Sequence, residues 1–168
     1  YLCIRKPLKT WHLKQHLAGA LTLGAYVLNA DSRANYVVID ADDHSELETL
    51  TFMAAQLAAD NVPSYLETSR RGGHLWLFFE RSVTGQQARS FGLGLLQKYS
   101  LEGIELFPKQ AELKNGPGSL IRLPFGVHRK SGERYGFITF DGHPLAPTLA
   151  AQIQLLSSPL TVPFTVFR

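Results

Sequence analysis

The segment Tyr36 to Asp42, with the sequence YVVIDAD, constrains the fold and the chemistry of this chain more than any other. Its β-branched and apolar residues predict a buried strand. Side chains two apart on a strand point to the same face, so we expect Asp40 and Asp42 to present two carboxylates together. Such carboxylates repel each other unless a cation neutralises them, and hard oxygen ligands favour Mg²⁺ or Mn²⁺. The alternative is that these acids only cap a turn or the next helix.

Strands and helices alternate along the rest of the chain, which predicts an α/β or α+β fold. After the acidic strand, Ser45 is expected to cap a helix that ends before Pro63. Further helices are predicted over 11–20, 84–99 and 145–156, and further strands over 25–29, 64–68, 74–79, 103–107, 120–123 and 135–140. The strands 64–68 and 74–79 form a predicted hairpin, and a hairpin beside an acid-tipped strand suits an RRM-like sheet.

Length and composition limit the kinds of protein to consider. With 168 residues, of which 45% are hydrophobic, the chain is expected to fold as one domain or as two small modules that share a cleft. Its one cysteine, Cys3, excludes an internal disulfide and any multi-cysteine zinc site. No signal segment or membrane span is recognised, so we expect a cytoplasmic protein without a membrane partner. The net charge of +3 suits a phosphate-rich partner.

The segment from Ser69 to His74, SRRGGH, combines groups that suit a triphosphate. Ser69 offers a hydroxyl, Arg71 a charged fork and His74 an imidazole at the start of a strand. Gly72 and Gly73 would allow backbone N–H groups to approach an anion. The alternative is an ordinary basic hairpin turn in which His74 packs on the sheet.

Two later segments add one acid and a group of cations. Glu105 lies between apolar neighbours on a short predicted strand, where it is either a third metal ligand or a solvent-facing residue. In the segment LIRLPFGVHRKSG, strand alternation directs Ile121 and Leu123 toward a core and Arg122 to the opposite face. With His128 downstream, Arg122 could contact phosphate. The alternative is a solvated basic loop.

The order of these segments resembles the archaeo-eukaryotic primase superfamily over residues 26–135. That family combines a hydrophobic strand ending in D-x-D, a turn from Ser to His, and a hydrophobic residue followed by an acid. ELFPKQ and GSLIRLP look especially like primase-polymerases linked to CRISPR and related bacterial conflict systems, and RLPFGVHRKSG is similar to a loop of phage and plasmid primase-polymerases. The turn from Ser69 to His74 is longer than the Ser-x-His of many members, and Glu105 stands where many have Asp.

The resemblance implies an α+β primase catalytic core, in which an RRM-like antiparallel sheet packs with helices and an additional small α/β unit, over residues 1–168. It also implies template-dependent nucleotidyl transfer by a DNA primase, a DNA polymerase or both. Asp40, Asp42 and Glu105 would be catalytic and hold two ions of Mg²⁺ or Mn²⁺. The residues expected to bind the nucleotide are Ser69, Arg71, Gly73, His74, Arg122 and His128.

The implied partners are nucleoside triphosphates and a single-stranded or primed nucleic-acid template. The resemblance leaves room for an accessory domain, or for CRISPR or helicase partners, outside this chain. Two other functions stay open at this point. A metal-dependent nuclease or phosphodiesterase could use the same acids, and it would release no pyrophosphate. A non-catalytic RRM-like module would bind single strands through exposed aromatic side chains, for which Trp76 and Phe78 share a side with His74.

Overall fold

The computed structural model describes residues 6–167, and within them the chain forms four α-helices, seven β-strands and a short 3-10 helix. The helices are α1 (Thr10–Leu17), α2 (His44–Ala59), α3 (Gly85–Lys98) and α4 (Leu149–Leu156), and the 3-10 helix is Phe164–Phe167. The strands are β1 (Gly24–Tyr26), β2 (Arg33–Ala41), β3 (Tyr65–Thr68), β4 (Gly73–Thr84), β5 (Glu105–Phe107), β6 (Leu120–Arg122) and β7 (Phe137–Ile138). None of these helices is long and apolar enough to span a membrane.

The main sheet has five antiparallel strands in the order β5-β2-β4-β3-β7. Helix α2 connects β2 to β3, and helix α3 connects β4 to β5. The chain order β2-α2-β3-β4-α3-β5 is therefore the βαββαβ arrangement of ferredoxin-like and RRM-like units. This confirms the predicted α+β class with an RRM-like sheet.

One face of the main sheet packs against α2 and α3. Ile39 of β2 and Leu75 of β4 are cross-strand partners on this face, and both are fully buried. The face is identified by its glycines, because a side chain on Gly73 would strike Leu47 of α2 and one on Gly92 of α3 would strike Leu106 of β5. The residues between these positions must point to the opposite face of the sheet.

A smaller unit combines α1 with a two-stranded sheet in which β1 pairs with β6. His16 of α1 is buried, and its Nε2 donates toward the carbonyls of Leu123, at 3.2 Å, and Pro124, at 2.9 Å. Its Nδ1 accepts a hydrogen bond of 3.1 Å from the Leu23 N–H. A side chain on Gly126 would strike this imidazole. Helix α1 therefore fixes the turn that follows β6.

Some predicted element boundaries were wrong. The cap of α2 is Asp43 and not Ser45, because the Asp43 carboxylate accepts a hydrogen bond of 2.9 Å from the Glu46 N–H. Strand β4 continues to Thr84 because it stays paired with β2 over its full length. Helix α4 begins four residues later than predicted, at Leu149, with Thr148 as its cap.

Candidate functional site

A row of ionisable side chains crosses the main sheet on the face opposite α2 and α3. Asp40 of β2 pairs with Glu105 of β5 on one side and with His74 of β4 on the other. His74 in turn pairs with Glu67 of β3. Directly opposed residues of an antiparallel sheet share a face. Four strands that are distant in sequence therefore bring four ionisable side chains into one line.

Burial changes steadily along this row. Glu67 is 0% exposed and His74 is 6% exposed. Asp40 is partly buried, and Glu105 at the other end is exposed to solvent. The row therefore leads from the protein interior to an open edge of the sheet.

Glu67 is the most constrained member of the row. Its Oε2 accepts hydrogen bonds from His74 Nδ1, at 2.8 Å, and from Trp76 Nε1, at 3.0 Å. Its Oε1 has no hydrogen-bond partner within the described part of the chain, and Arg122 Nη2 lies 3.6 Å from it. Sequence reasoning missed Glu67. The predicted hairpin could have revealed it, since pairing of 64–68 with 74–79 sets this acid opposite His74.

The environment of Asp40 makes its carboxylate unusually basic. Its Oδ1 lies 3.5 Å from His74 Nε2. Burial raises the pKa of Asp40, and the negative charges of Asp42, Glu105 and Glu67 raise it further, while the positive charge of His74 offsets only part of the increase. Four acids thus influence one another at this end of the sheet.

The opposite balance holds at His74. Burial alone would lower the pKa of its imidazole, but the hydrogen bond and charge of Glu67, together with the charge of Asp40, outweigh burial and raise it. Arg122 opposes this increase. The structure therefore favours a protonated, doubly donating imidazole between two carboxylates.

Asp42 and Glu105 lie on either side of Asp40, and each is paired with a cation. Asp42 follows the last residue of β2 and lies 3.6 Å from Arg71, measured from Oδ1 to Nη2. Glu105 Oε1 lies 2.9 Å from Lys109 Nζ. Within residues 6–167, no group of three or more His, Cys, Asp or Glu side chains already has the spacing of a metal site. The predicted acids are neighbours, but they are held apart by separate ion pairs.

The turn between β3 and β4 is closed by its own residues. Ser69 Oγ accepts a hydrogen bond of 3.1 Å from the Gly72 N–H, and the Ser69 N–H donates to the Gly72 carbonyl at 2.8 Å. A side chain on Gly72 would strike the Ala41 carbonyl, and one on Gly73 would strike Leu47 of α2. Close packing at the ends of β2 and α2 therefore requires these glycines. Binding of phosphate by Ser69 and Gly73 stays a prediction.

Cationic side chains gather beside His74 from two separate loops. Partial burial lowers the pKa of His128, and the nearby charges of Arg70, Arg122 and Lys130 lower it further. The His128 ring also contacts Ser131 Oγ at 3.1 Å through Nδ1. Arg70, which lies beside His128, was not among the predicted nucleotide ligands, while the predicted Arg71 pairs with Asp42.

Aromatic side chains continue the face beyond His74, but they are not offered to solvent. Trp76 is 3% exposed and stacks on Phe78 with ring centroids 6.2 Å apart. Tyr36 packs against both rings, and burial raises the pKa of its hydroxyl to about 12. The sequence correctly predicted that Trp76 and Phe78 share a side with His74. Their burial removes the open stacking platform that an RRM-like binding module would use.

Comparison with known proteins gives one family. Residues 4–159 match the family described as the Archaeo-Eukaryotic Primase domain of the TOTE conflict system. The match includes every candidate site residue described above. No curated protein shows a significant match to the chain.

Proposed function

The chain belongs to the archaeo-eukaryotic primase domains of TOTE conflict systems, and we propose that it carries out template-dependent nucleotidyl transfer as a DNA primase, a DNA polymerase or both. The observation that carries this proposal is the row of Glu105, Asp40 and His74 on one face of the sheet. It places hard anionic ligands next to cationic donors, which a metal-bound triphosphate requires.

In the proposed reaction, the 3′-hydroxyl of a primer or an initiating nucleotide attacks the α-phosphorus of an incoming nucleotide. A new phosphodiester bond forms, and the bond to pyrophosphate breaks. Two Mg²⁺ or Mn²⁺ ions, when bound, would activate the attacking oxygen and stabilise the leaving one. Asp40, Asp42 and Glu105 would hold these ions, and their carboxylates would draw together from the positions that they occupy here.

The chemistry of this donor set suits a divalent cation. Three carboxylates at one end of a sheet repel one another, and this repulsion contributes to the raised pKa of Asp40. The ion pairs of Asp42 with Arg71 and of Glu105 with Lys109 are solvent-exposed. Exposed pairs of this kind contribute about 0–1 kcal/mol each, so a divalent cation has little to overcome in replacing them.

The neighbouring cations suit the triphosphate. His74 Nε2 points toward the acids and could donate to a phosphate oxygen, while Arg122 and His128 approach from the segment after β1 and β6. We add Arg70 to this set because it lies near His128. Positive groups around the leaving pyrophosphate stabilise the negative charge that develops there.

The proposal is tested by incubating the protein with labelled nucleotide and single-stranded template, with and without primer, and with Mg²⁺ or Mn²⁺ in turn. We expect extended products and one pyrophosphate released for each nucleotide incorporated. Asp40→Asn is the matched control, since it keeps the size of the side chain and removes its charge. Cleavage of the template without pyrophosphate release would overturn the proposal in favour of the nuclease alternative.

A further inference from the structure

We propose that Glu67 is a positioning residue that orients the imidazole of His74 toward the nucleotide site. The role of His74 toward the nucleotide rests on the proposed function. The orientation of its ring by Glu67 is a separate claim, and it is carried by hydrogen bonds within the protein.

The two nitrogens of His74 have different partners. Nδ1 lies 2.8 Å from Glu67 Oε2, a carboxylate oxygen that only accepts, so Nδ1 must carry the proton and donate it. Nε2 is left on the solvent side of the ring, 3.5 Å from Asp40 Oδ1. A hydrogen bond to one ring nitrogen fixes both the tautomer and the direction of the other nitrogen.

The carboxylate of Glu67 is itself held in place. Its Oε2 also accepts from Trp76 Nε1 at 3.0 Å, so two rigid donors converge on one oxygen. Both donors lie on β4, two residues apart, on the face that Glu67 shares from β3. Rotation of the carboxylate would break both hydrogen bonds, and the imidazole therefore rests on a fixed support.

Packing alone does not account for a glutamate at this position. Glu67 is 0% exposed, and a buried carboxylate loses its hydration, which is costly unless the charge is compensated. An apolar side chain of similar size often serves equally well for stability in such a place. The ionised acid has use here because it also attracts Arg122, whose Nη2 lies 3.6 Å from Oε1. Glu67 thus connects two candidate nucleotide ligands that come from separate sheets.

The test uses the Kd of the template-free protein for dATP and ATP in the presence of Mg²⁺. Glu67→Met removes the acceptor while keeping the volume, and Glu67→Gln keeps an acceptor at the position of Oε2. We expect Glu67→Met to weaken nucleotide binding about ten- to hundredfold, the range of a lost hydrogen bond to a charged group. Glu67→Gln should retain most of the affinity.

A double-mutant cycle separates positioning from general damage. If Glu67 acts through His74, the effect of Glu67→Met should disappear when His74→Ala is already present. Trp76→Phe removes the other hydrogen bond to the same oxygen and should change the Kd by less than Glu67→Met. Additive effects of Glu67→Met and His74→Ala would overturn the proposal. Equal effects of Trp76→Phe and Glu67→Met would do the same.

A second measurement needs no nucleotide. In ¹⁵N spectra of the free protein, the His74 ring, identified by its loss in His74→Gln, should show a protected proton on Nδ1. That proton should persist in Glu67→Gln and be lost or shifted in Glu67→Met. If it is absent from the wild type, the positioning claim is wrong. If it is present but nucleotide does not bind, the proposed function fails while Glu67 still orients the ring.

Discussion

Asp42 and Asp43 are consecutive acids with different roles at the end of β2. Asp42 is exposed and pairs only loosely with Arg71, with 3.6 Å between Oδ1 and Nη2. Asp43 is the N-cap of α2, where its carboxylate satisfies the N–H of Glu46. The first is therefore free to bind a cation, and the second stabilises a helix.

This difference gives a prediction with a matched control. Asp42→Ala should abolish nucleotide incorporation and leave the free energy of unfolding nearly unchanged, because an exposed acid contributes little to packing. Asp43→Ala should do the reverse, lowering the free energy of unfolding by about 1 kcal/mol through loss of the cap while incorporation continues. Urea unfolding and a primer-extension assay distinguish the two. An Asp42→Ala protein that kept most of its activity would contradict the proposed metal site.

At the level of single residues, the sequence predicted types of side chain better than their neighbours. Asp40 and Asp42 were found because the strand YVVIDAD is evident from its composition. The pairing of Asp40 with Glu105 could not be deduced, since it depends on β5 lying beside β2 across 60 or so intervening residues. Likewise, the sequence offers no means to decide which of two adjacent arginines turns toward Asp42.

At the level of elements, the edge of β4 shows what a local pattern cannot reveal. Strand β3 pairs with β4 only as far as Tyr65 opposite Trp76. Beyond that point the chain near Val162 takes its place, with the Val162 N–H donating to Phe78 O at 2.8 Å and Val162 O accepting from the Glu80 N–H at 3.0 Å. The following 3-10 helix brings Phe167 onto Phe79, with ring centroids 4.9 Å apart. A pairing between positions about 80 residues apart leaves no periodic signal in either segment.

The contribution of this added edge can be measured with two valines. Val162 is 1% exposed, whereas Val166 in the same segment is 53% exposed. Val162→Ala should lower the free energy of unfolding by about 2 kcal/mol, from two buried methyl groups and the space that they leave. Val166→Ala should change it by no more than about 0.5 kcal/mol. Similar urea midpoints for the two variants, at equal m-values, would show that the segment near Val162 does not stay on β4.

Elements with strong local signals were predicted well. The N-cap of α3 is Thr84, whose hydroxyl accepts from the Gln87 N–H at 3.1 Å, as the sequence indicated. The weakest predictions concern short strands such as β7, which has two residues, Phe137 and Ile138, where six were expected. Such strands are defined by the neighbour that they pair with, and β7 exists only where it meets Leu66 and Glu67 of β3.

At the level of the whole molecule, the two sheets contribute opposite charges to one region. The main sheet supplies the acids through β2 and β5, together with His74. The smaller unit supplies Arg122 at the end of β6 and, through the turn that His16 holds, the segment leading to His128. The proposed function therefore depends on the main sheet and the smaller unit together, and the cations divide by burial into an inner and an outer group.

Burial predicts which cations serve the nucleotide and which serve the template. The Arg122 side chain is 23% exposed and lies next to the buried Glu67, while Lys130 is exposed in the loop after His128. Phosphate contacts to a nucleic acid release counterions, so the salt dependence of template affinity counts them. We expect Arg122→Gln, which keeps a donor near Glu67, to raise the nucleotide KM and leave the slope of log Kd against log salt for template unchanged.

Lys130→Ala is the matched variant for the outer group. It should flatten that slope by about one, the amount for a single lost phosphate contact, and leave the nucleotide KM unchanged. The slopes are measured by fluorescence anisotropy of a labelled single-stranded oligonucleotide over a series of salt concentrations, with each variant first shown to be folded. A flatter slope for Arg122→Gln with normal nucleotide affinity would move Arg122 onto the template path. The pocket would then contain His74 and the residues from the turn before β4, without a cation from the smaller unit.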